Sequence, residues 1–576
     1  MSNDQHEIRV TDAIINVLEE AGVRYVVGIP GGHVGRIYSS LYEHPTIRTL
    51  LVREESIGTA MAEAYGRLNG APMAVLAQGE WVVGNAGQGL IEARLGASPV
   101  VVLTDMTDSG PLSHHGPYQD GSANYGSWDT RQALDAVCKR VFVSDYPEQA
   151  VQHTQLALKH ALTGEQGPVA VVFRRDALNG RIDRSRLPQL YPTAPYLPRP
   201  SVAIDATALE QAAAALQSAV RPVVIAGNGV RLAAAQTRLQ EFATTIDAPI
   251  VTTQSGKGVA DETATTNGGV IGAFGWSSAN ALVAEADCIV AVGTKLSPVD
   301  TGDEHLGLID PTRQTIVQID IEPLNAGWTF PVDHVVIGDA GAALEQLSAL
   351  VGSAQRGPDS AANRVANAVA NDPFRLPRDT ESTDAIEPQD AIALLRAHLP
   401  DDAIVTGDAG ENRLFMMQWF ETGPGGDYLQ PGAGGGMGYA VPAALAAKLS
   451  HPERAVVAVC GDGGFGMSLH ALMTAVQEDL PIAVVVLNNR ALGWVANGLG
   501  KRAIASHFAD FDHAGIARAI GCDGVLIGKD ASLEEAFAQL STLRRPLVID
   551  VPVAMSLTFK DLMSDFSALE RRVGGY

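Results

Sequence analysis

Apolar runs of five to seven residues recur along the chain and alternate with longer stretches of helical period. RYVVGI, PMAVLA, PVVVLT and PVAVVF come first; PVVIAG, APIVTT, CIVAVG and TIVQIDI follow; AIVTG, AVVAVC, PIAVVVL and PLVIDV close the series. Continuous β-branched runs separated by helix-length patterns predict strands covered on both faces by crossover helices, hence parallel sheets. Two stretches break the rhythm: residues 178–201, rich in proline, and residues 352–384, mixed glycine, proline and charge. Both read as linkers. They set off segments 1–185, 195–352 and 385–560, and the expectation is three tandem α/β domains with mostly parallel sheets.

Composition narrows the function classes. The 576 residues are 46% apolar and 18% charged, enough for several cores. A net charge of −24 with no cluster of Lys and Arg argues against a nucleic-acid partner, because phosphate neutralisation needs such a cluster. No apolar stretch approaches the roughly 20 residues that span a bilayer, and MSNDQHEIRVTD lacks a basic start and an apolar core. The expectation is a cytoplasmic protein without a membrane partner. Cys138, Cys288, Cys460 and Cys522 have no metal or disulfide spacing and read as reduced, buried thiols.

Candidate chemistry begins at GDGGFG, residues 461–466, which has the spacing G-x-G-x-x-G directly after an apolar run. A dinucleotide-binding turn needs an acid closing the next strand, about 20 residues on. That strand, PIAVVVL, closes with Asn488 and Asn489, and Glu478 and Asp479 lie at its other end. The segment instead supplies an acid, Asp462, after one strand and an amide, Asn489, after the next. Both belong on one sheet edge beside a helix N-terminus. Two hard oxygen ligands so placed suit Mg²⁺ bound to a diphosphate, since Mg²⁺ takes one or two protein groups and completes its octahedron with phosphate oxygens. Gly463 and Gly464 let phosphates approach the backbone.

GDGGFGMSLHALMTAVQEDLPIAVVVLNN resembles the paired GDG and NN motif of thiamin-diphosphate-dependent enzymes. The resemblance covers essentially the whole chain, in the domain order of the acetolactate synthase and pyruvate oxidase group. GIPGGHVGRIYSSL, with Gly32 and His33, is similar to that group's Gly-rich opening, VREESIGTAMAEAYGR to its catalytic-glutamate helix, and GGGMGYAVPAALAAKL to its pyrimidine-cradling turn. RPVVIAGNGV, TTQSGKGV and AVGTKLSPVDTG are similar to the acetolactate synthase middle domain. The implied domains are pyrimidine-binding (1–185), middle (195–352) and diphosphate- and Mg²⁺-binding (385–560).

The resemblance implies a role for each matching position. Glu55 hydrogen-bonds a ring nitrogen of the aminopyrimidine, a proton shift that activates the thiazolium carbon toward a substrate carbonyl. Read alone, Glu54 and Glu55 are a solvated pair opening a helix. The backbone at Gly435 and Met437 contacts the pyrimidine, with the Met437 side chain beneath it; read alone, Met437 is a core methionine. Asp462, Asn489 and the Ala491 carbonyl hold Mg²⁺. Gly410, Glu411, Asn412, Gly463 and Gly464 contact the diphosphate, with Leu492 and Gly493 lining the same cofactor site. A histidine is common where this chain has Asn412. Glu55 is expected to act across a subunit interface, in a homodimer or homotetramer.

On the substrate side the chain departs from the group. Acetolactate synthases tend to have a Gly-Pro-Gly-Ala-Thr-Asn turn where this chain has Glu80, Trp81 and Val82, a bulkier wall. Gln119 matches the group's active-site glutamine. His114 and His115 resemble the paired histidines of pyruvate and indolepyruvate decarboxylases, or are a polar surface loop. The decarboxylase glutamate six residues after the second Asn is here Val495, and Trp494 replaces a methionine, narrowing the pocket or offering a stacking surface.

Without that acid, the expectation is decarboxylation of a 2-oxo acid followed by carboligation. The alternatives are a lyase or decarboxylase acting on hydroxyketones, diketones or bulkier oxo acids, and a non-catalytic relative. FAD is a further candidate cofactor at GVIGAFG, residues 269–275.

Overall fold

A computed structural model of the chain describes residues 7–108, 118–124, 126–183, 188–197, 203–354, 357–375, 386–564 and 566. Three six-stranded parallel sheets organise it. Across the first, the strands are Arg48–Leu51, Tyr25–Gly28, Met73–Leu76, Val100–Asp105, Pro168–Phe173 and Arg140–Ser144. Across the second they are Asn267–Val270, Ile250–Thr252, Pro222–Ala226, Cys288–Val292, Thr315–Asp320 and His334–Ile337. Across the third they are Asp427–Leu429, Ile404–Gly407, Val456–Gly461, Ala483–Asn488, Leu547–Pro552 and Asp523–Leu526.

With each set counted in chain order, the first and third sheets both read 2-1-3-4-6-5. The middle sheet reads 3-2-1-4-5-6, the order of dinucleotide-binding folds. Every apolar run predicted as a strand is one, and together they are the four inner strands of each sheet.

Both expected linkers contain regular secondary structure. Arg181–Asp183, inside the 178–201 stretch, pairs antiparallel with Glu7–Arg9 and fastens the start of the chain to the first domain. Inside 352–384, Ala361–Val369 is a helix capped by the Ser360 hydroxyl. Its buried face holds Ala361 and Val365, and its Arg364 guanidinium donates to the Pro222 and Asp247 carbonyls at 2.9 and 3.0 Å. A short apolar stripe among Asn, Arg and Ala hides this helix from a reading of composition.

The domains share cores. Helix Glu55–Asn69 of the first packs on helix Ala440–Ser450 of the third, and Ile57, Met61 and Ala64 share one buried cluster with Ala443, Ala444 and Ala447. Such small side chains allow close approach of the two axes. The opposite face of the third sheet merges with the middle domain, where Leu414 and Met417 join Ile225 and Leu282.

Candidate active site

Three inner strands of the third sheet end side by side, at Gly407, Gly461 and Asn488, and the loops that follow converge on one edge. They line a cleft with Gly410, Glu411, Asn412, Met437, Asp462, Gly463, Gly464, Asn489, Ala491, Leu492, Gly493 and Trp494. Every third-domain residue given a cofactor, metal or pocket role above is there except Gly435, which lies two residues before Met437.

Asp462 opens the helix Asp462–Ser468. Its Oδ1 accepts the Gly463 N–H at 2.8 Å, while Oδ2 is buried without a partner. Burial pushes the carboxyl pKa up, opposed by the Gly463 N–H. A buried carboxylate oxygen with no donor is a costly arrangement that a cation relieves. Among the described residues no three His, Cys, Asp or Glu side chains cluster as a metal site. The donor set of one carboxylate, one amide and nearby carbonyls therefore fits Mg²⁺ only if a ligand brings further oxygens, as a diphosphate does.

The glycines have steric reasons. A Cβ on Gly463 would sit 2.9 Å from Met437 Cε and 3.0 Å from Leu492 Cδ2, so the Met437 side chain lies over this turn. Gly410 has φ +89° and Gly435 φ +68°. Asp408, which the sequence reading passed over, ties the loops together. Its fully buried carboxylate accepts N–H groups from Ala409, Gly438 and Ala440, each at 2.9 Å, with its pKa raised by burial. An acid closing AIVTG, as Asp462 closes AVVAVC, was the available signal.

Glu411 lines the cleft, and its carboxylate has partners of its own. Its Oε1 accepts Asn497 Nδ2 at 2.9 Å and the Phe559 N–H at 3.0 Å, and Oε2 accepts Asn497 Nδ2 at 3.1 Å. The carboxylate thus ties the cleft to Asn497 and to the segment at Phe559. Trp494 stacks on Phe559 at 4.7 Å and meets the edge of Phe274 at 5.3 Å, joining the cleft wall to the middle domain.

In the first domain the structure separates the paired acids. Glu54 meets His470 at 2.9 Å, whereas Glu55 is 4% exposed and accepts Asn85 Nδ2 at 2.9 Å. The Glu55 helix packs on Ala440–Ser450 of the same chain.

A second cluster forms at the edge of the first sheet around Asp105. Its Oδ2 accepts the N–H groups of His33 and Val34, and Oδ1 accepts those of Gly79 and the Thr107 hydroxyl. Gly32 has φ +53°, and a Cβ there would sit 2.4 Å from Asp105 Oδ2. Gln78 Nε2 lies 3.1 Å from both Gln119 Oε1 and Thr107 Oγ1. Glu80 Oε2 lies 3.3 Å from the Thr107 hydroxyl oxygen and its Oε1 is buried without a partner; burial raises its pKa to about 6. Gly32, His33, Glu80 and Gln119 are thus brought together. Trp81 is not among them: it is 46% exposed beside Gly84. His114 and His115 lie outside the described residues.

Comparison with known proteins identifies the three domains. Residues 8–124, 209–347 and 408–551 match three families: thiamine pyrophosphate enzyme, N-terminal TPP binding domain; central domain; and C-terminal TPP binding domain. The chain is 28% identical over 557 residues to a probable acetolactate synthase large subunit of Methanocaldococcus jannaschii, covering 94% of this chain and 91% of that one. It is 29% identical over 558 residues to the acetolactate synthase isozyme 3 large subunit of Escherichia coli, covering 94% of each. A putative thiamine pyrophosphate-containing protein of Bacillus subtilis is 27% identical over 550 residues, covering 94% of this chain and 91% of that one.

Proposed function

We infer that this chain, a member of the thiamin-diphosphate-dependent enzyme superfamily, decarboxylates a 2-oxo acid and joins the remaining carbons to a second carbonyl compound. The observation that carries this reading is the unpartnered, buried Asp462 Oδ2 beside Asn489 in a glycine-lined cleft. Asp462, Asn489 and the Ala491 carbonyl would hold Mg²⁺; Gly410, Asn412, Gly463 and Gly464 would border the diphosphate, and Gly435 and Met437 the pyrimidine. The bound group supplies an electron sink for the pair released when a carboxylate departs.

The protein's own contribution is positional and protonic. Glu55, buried and oriented by the Asn85 amide, would exchange a proton with a ring nitrogen. Met437, Leu492 and Trp494 exclude water, which favours loss of a charged carboxylate. Gln119, fixed by Gln78, offers an amide to the substrate.

A second reading, a lyase or decarboxylase, is favoured by Glu80, an acid with a pKa of about 6 in the Gln119 cluster. FAD fits the strand order of the middle domain, and the absorption spectrum of the purified protein checks it. A cytoplasmic homodimer or homotetramer is the proposed form; Trp81, Ile91, Leu95, Met467 and Met473 are exposed apolar side chains that a second copy would cover. No described helix is long and apolar enough to cross a membrane.

The test is incubation with thiamin diphosphate, Mg²⁺ and pyruvate, following carbon dioxide and identifying products by NMR. Acetolactate or acetoin is expected. Aldehyde alone would favour the second reading, and turnover unchanged in Glu55→Gln would remove the assigned role of Glu55.

A further inference from the structure

Helix Gly87–Leu95 of the first domain lies against the turn at 433–437 of the third. Glu92 on this helix is buried, at 3% exposure. Its Oε1 accepts the Ala433 N–H at 3.0 Å, and Oε2 accepts those of Gly434 at 2.7 Å and Gly435 at 3.2 Å. One turn earlier on the same face, Gln88 Nε2 donates to the Met437 carbonyl at 2.6 Å. Two side chains of one helix thus hold both ends of a single turn.

The carboxylate is itself oriented. Arg67, 2% exposed, donates to Glu92 Oε1 at 3.0 Å and to the Gln430 carbonyl at 2.8 Å, and its Nε donates to Glu63 Oε1 at 2.8 Å. Glu63 Oε2 in turn accepts the Tyr439 hydroxyl at 2.6 Å. The groups on either side of the turn, Gln430 and Tyr439, belong to the same network as its centre.

A run of Gly434, Gly435 and Gly436 has little conformational preference of its own. Three consecutive N–H groups on one desolvated carboxylate are charge-assisted bonds that select one arrangement of the run. An adhesive contact between domains has no need to address consecutive backbone donors in the segment that carries Gly435 and Met437.

We propose that Glu92, with Gln88 on the same helix, is a positioning residue that holds turn 433–437 in the shape presenting the Gly435 and Met437 backbone to an aminopyrimidine ring. This rests on the cofactor reading above. Glu92 does not touch the ring; it acts through the turn. The pyrimidine end of the cofactor therefore depends on Glu92, and the diphosphate end, bordered by Asp462, Gly463 and Asn489, does not.

The test is calorimetric titration of the full-length protein with thiamin diphosphate and, separately, with inorganic pyrophosphate, both with Mg²⁺. Glu92→Ala is expected to weaken thiamin diphosphate by at least about tenfold and pyrophosphate by less than about twofold. Glu92→Gln, which keeps one acceptor oxygen, falls between wild type and Glu92→Ala. Gln88→Ala gives the same selective loss at about threefold, the worth of one neutral hydrogen bond.

Equal weakening of both ligands, or of neither, overturns the proposal. Should Glu92→Ala fail to fold, Glu92→Gln and Gln88→Ala decide it alone. A wild-type protein that binds pyrophosphate but not thiamin diphosphate overturns the cofactor reading itself, an outcome distinct from an unselective Glu92 variant.

Discussion

The carboxylate of Asp408 occupies the space that a side chain on Gly464 would need: a Cβ there would lie 2.7 Å from Asp408 Oδ1. The same oxygen accepts the Gly438 N–H, so the diphosphate-side turn and the pyrimidine-side turn are registered through one buried acid. Gly464→Ala must displace that acid. It is expected to cost about 1–3 kcal/mol of local packing. Thermal unfolding should show a lowered midpoint, and titration should show weakened thiamin diphosphate binding.

Asp462 and Glu55 are predicted to fail differently. Asp462→Asn removes the charge facing the unpartnered position, and Mg²⁺-dependent pyrophosphate affinity is expected to drop by about 10–100-fold. Glu55→Gln leaves that affinity unchanged and lowers kcat by about 100-fold or more, as expected when a positioned acid-base group is lost. Parallel titrations and turnover measurements separate the two.

Glu411→Gln is expected to leave pyrophosphate affinity within about twofold of wild type. Glu411→Ala, which releases both Asn497 and the Phe559 N–H, should make the segment around Phe559 cleavable by limited proteolysis. A loss of diphosphate binding in Glu411→Gln would show that the side chain itself contacts the diphosphate.

Glu80 gives a pH prediction. Burial raises its pKa from 4.5 to about 6, so the folded state binds more protons than the unfolded state across that window. Stability contributed by protonated Glu80 is complete below the lower value and is lost as pH rises to the upper one. Glu80→Gln is expected to flatten the stability profile over this range. If Glu80 delivers a proton to product, the aldehyde-to-acyloin ratio falls as pH rises through about 6 in wild type and is constant in Glu80→Gln.

The twelve apolar runs were legible because inner strands of a parallel sheet are covered on both faces and must be apolar throughout. The six edge strands were not. Arg48–Leu51 and Asp523–Leu526 are largely exposed, and Asn267–Val270 carries two glycines, so neither period nor composition marks them.

The metal-side residues were legible for a related reason: Asp462 and Asn489 follow adjacent inner strands, and parallel pairing alone puts strand ends on one edge. What only the tertiary structure decided was which polar groups meet across chain distance. Glu92 reaches Gly434, Glu411 reaches Phe559, and Asp105 reaches both His33 and Gly79. Linear order dictates local periodicity, and hence strands, helices and the residues at their ends. A hydrogen bond between residues far apart in the chain depends on how helices and sheets pack, and small residues such as Ala64, Ala443 and Ala444 fix that packing without advertising any partner.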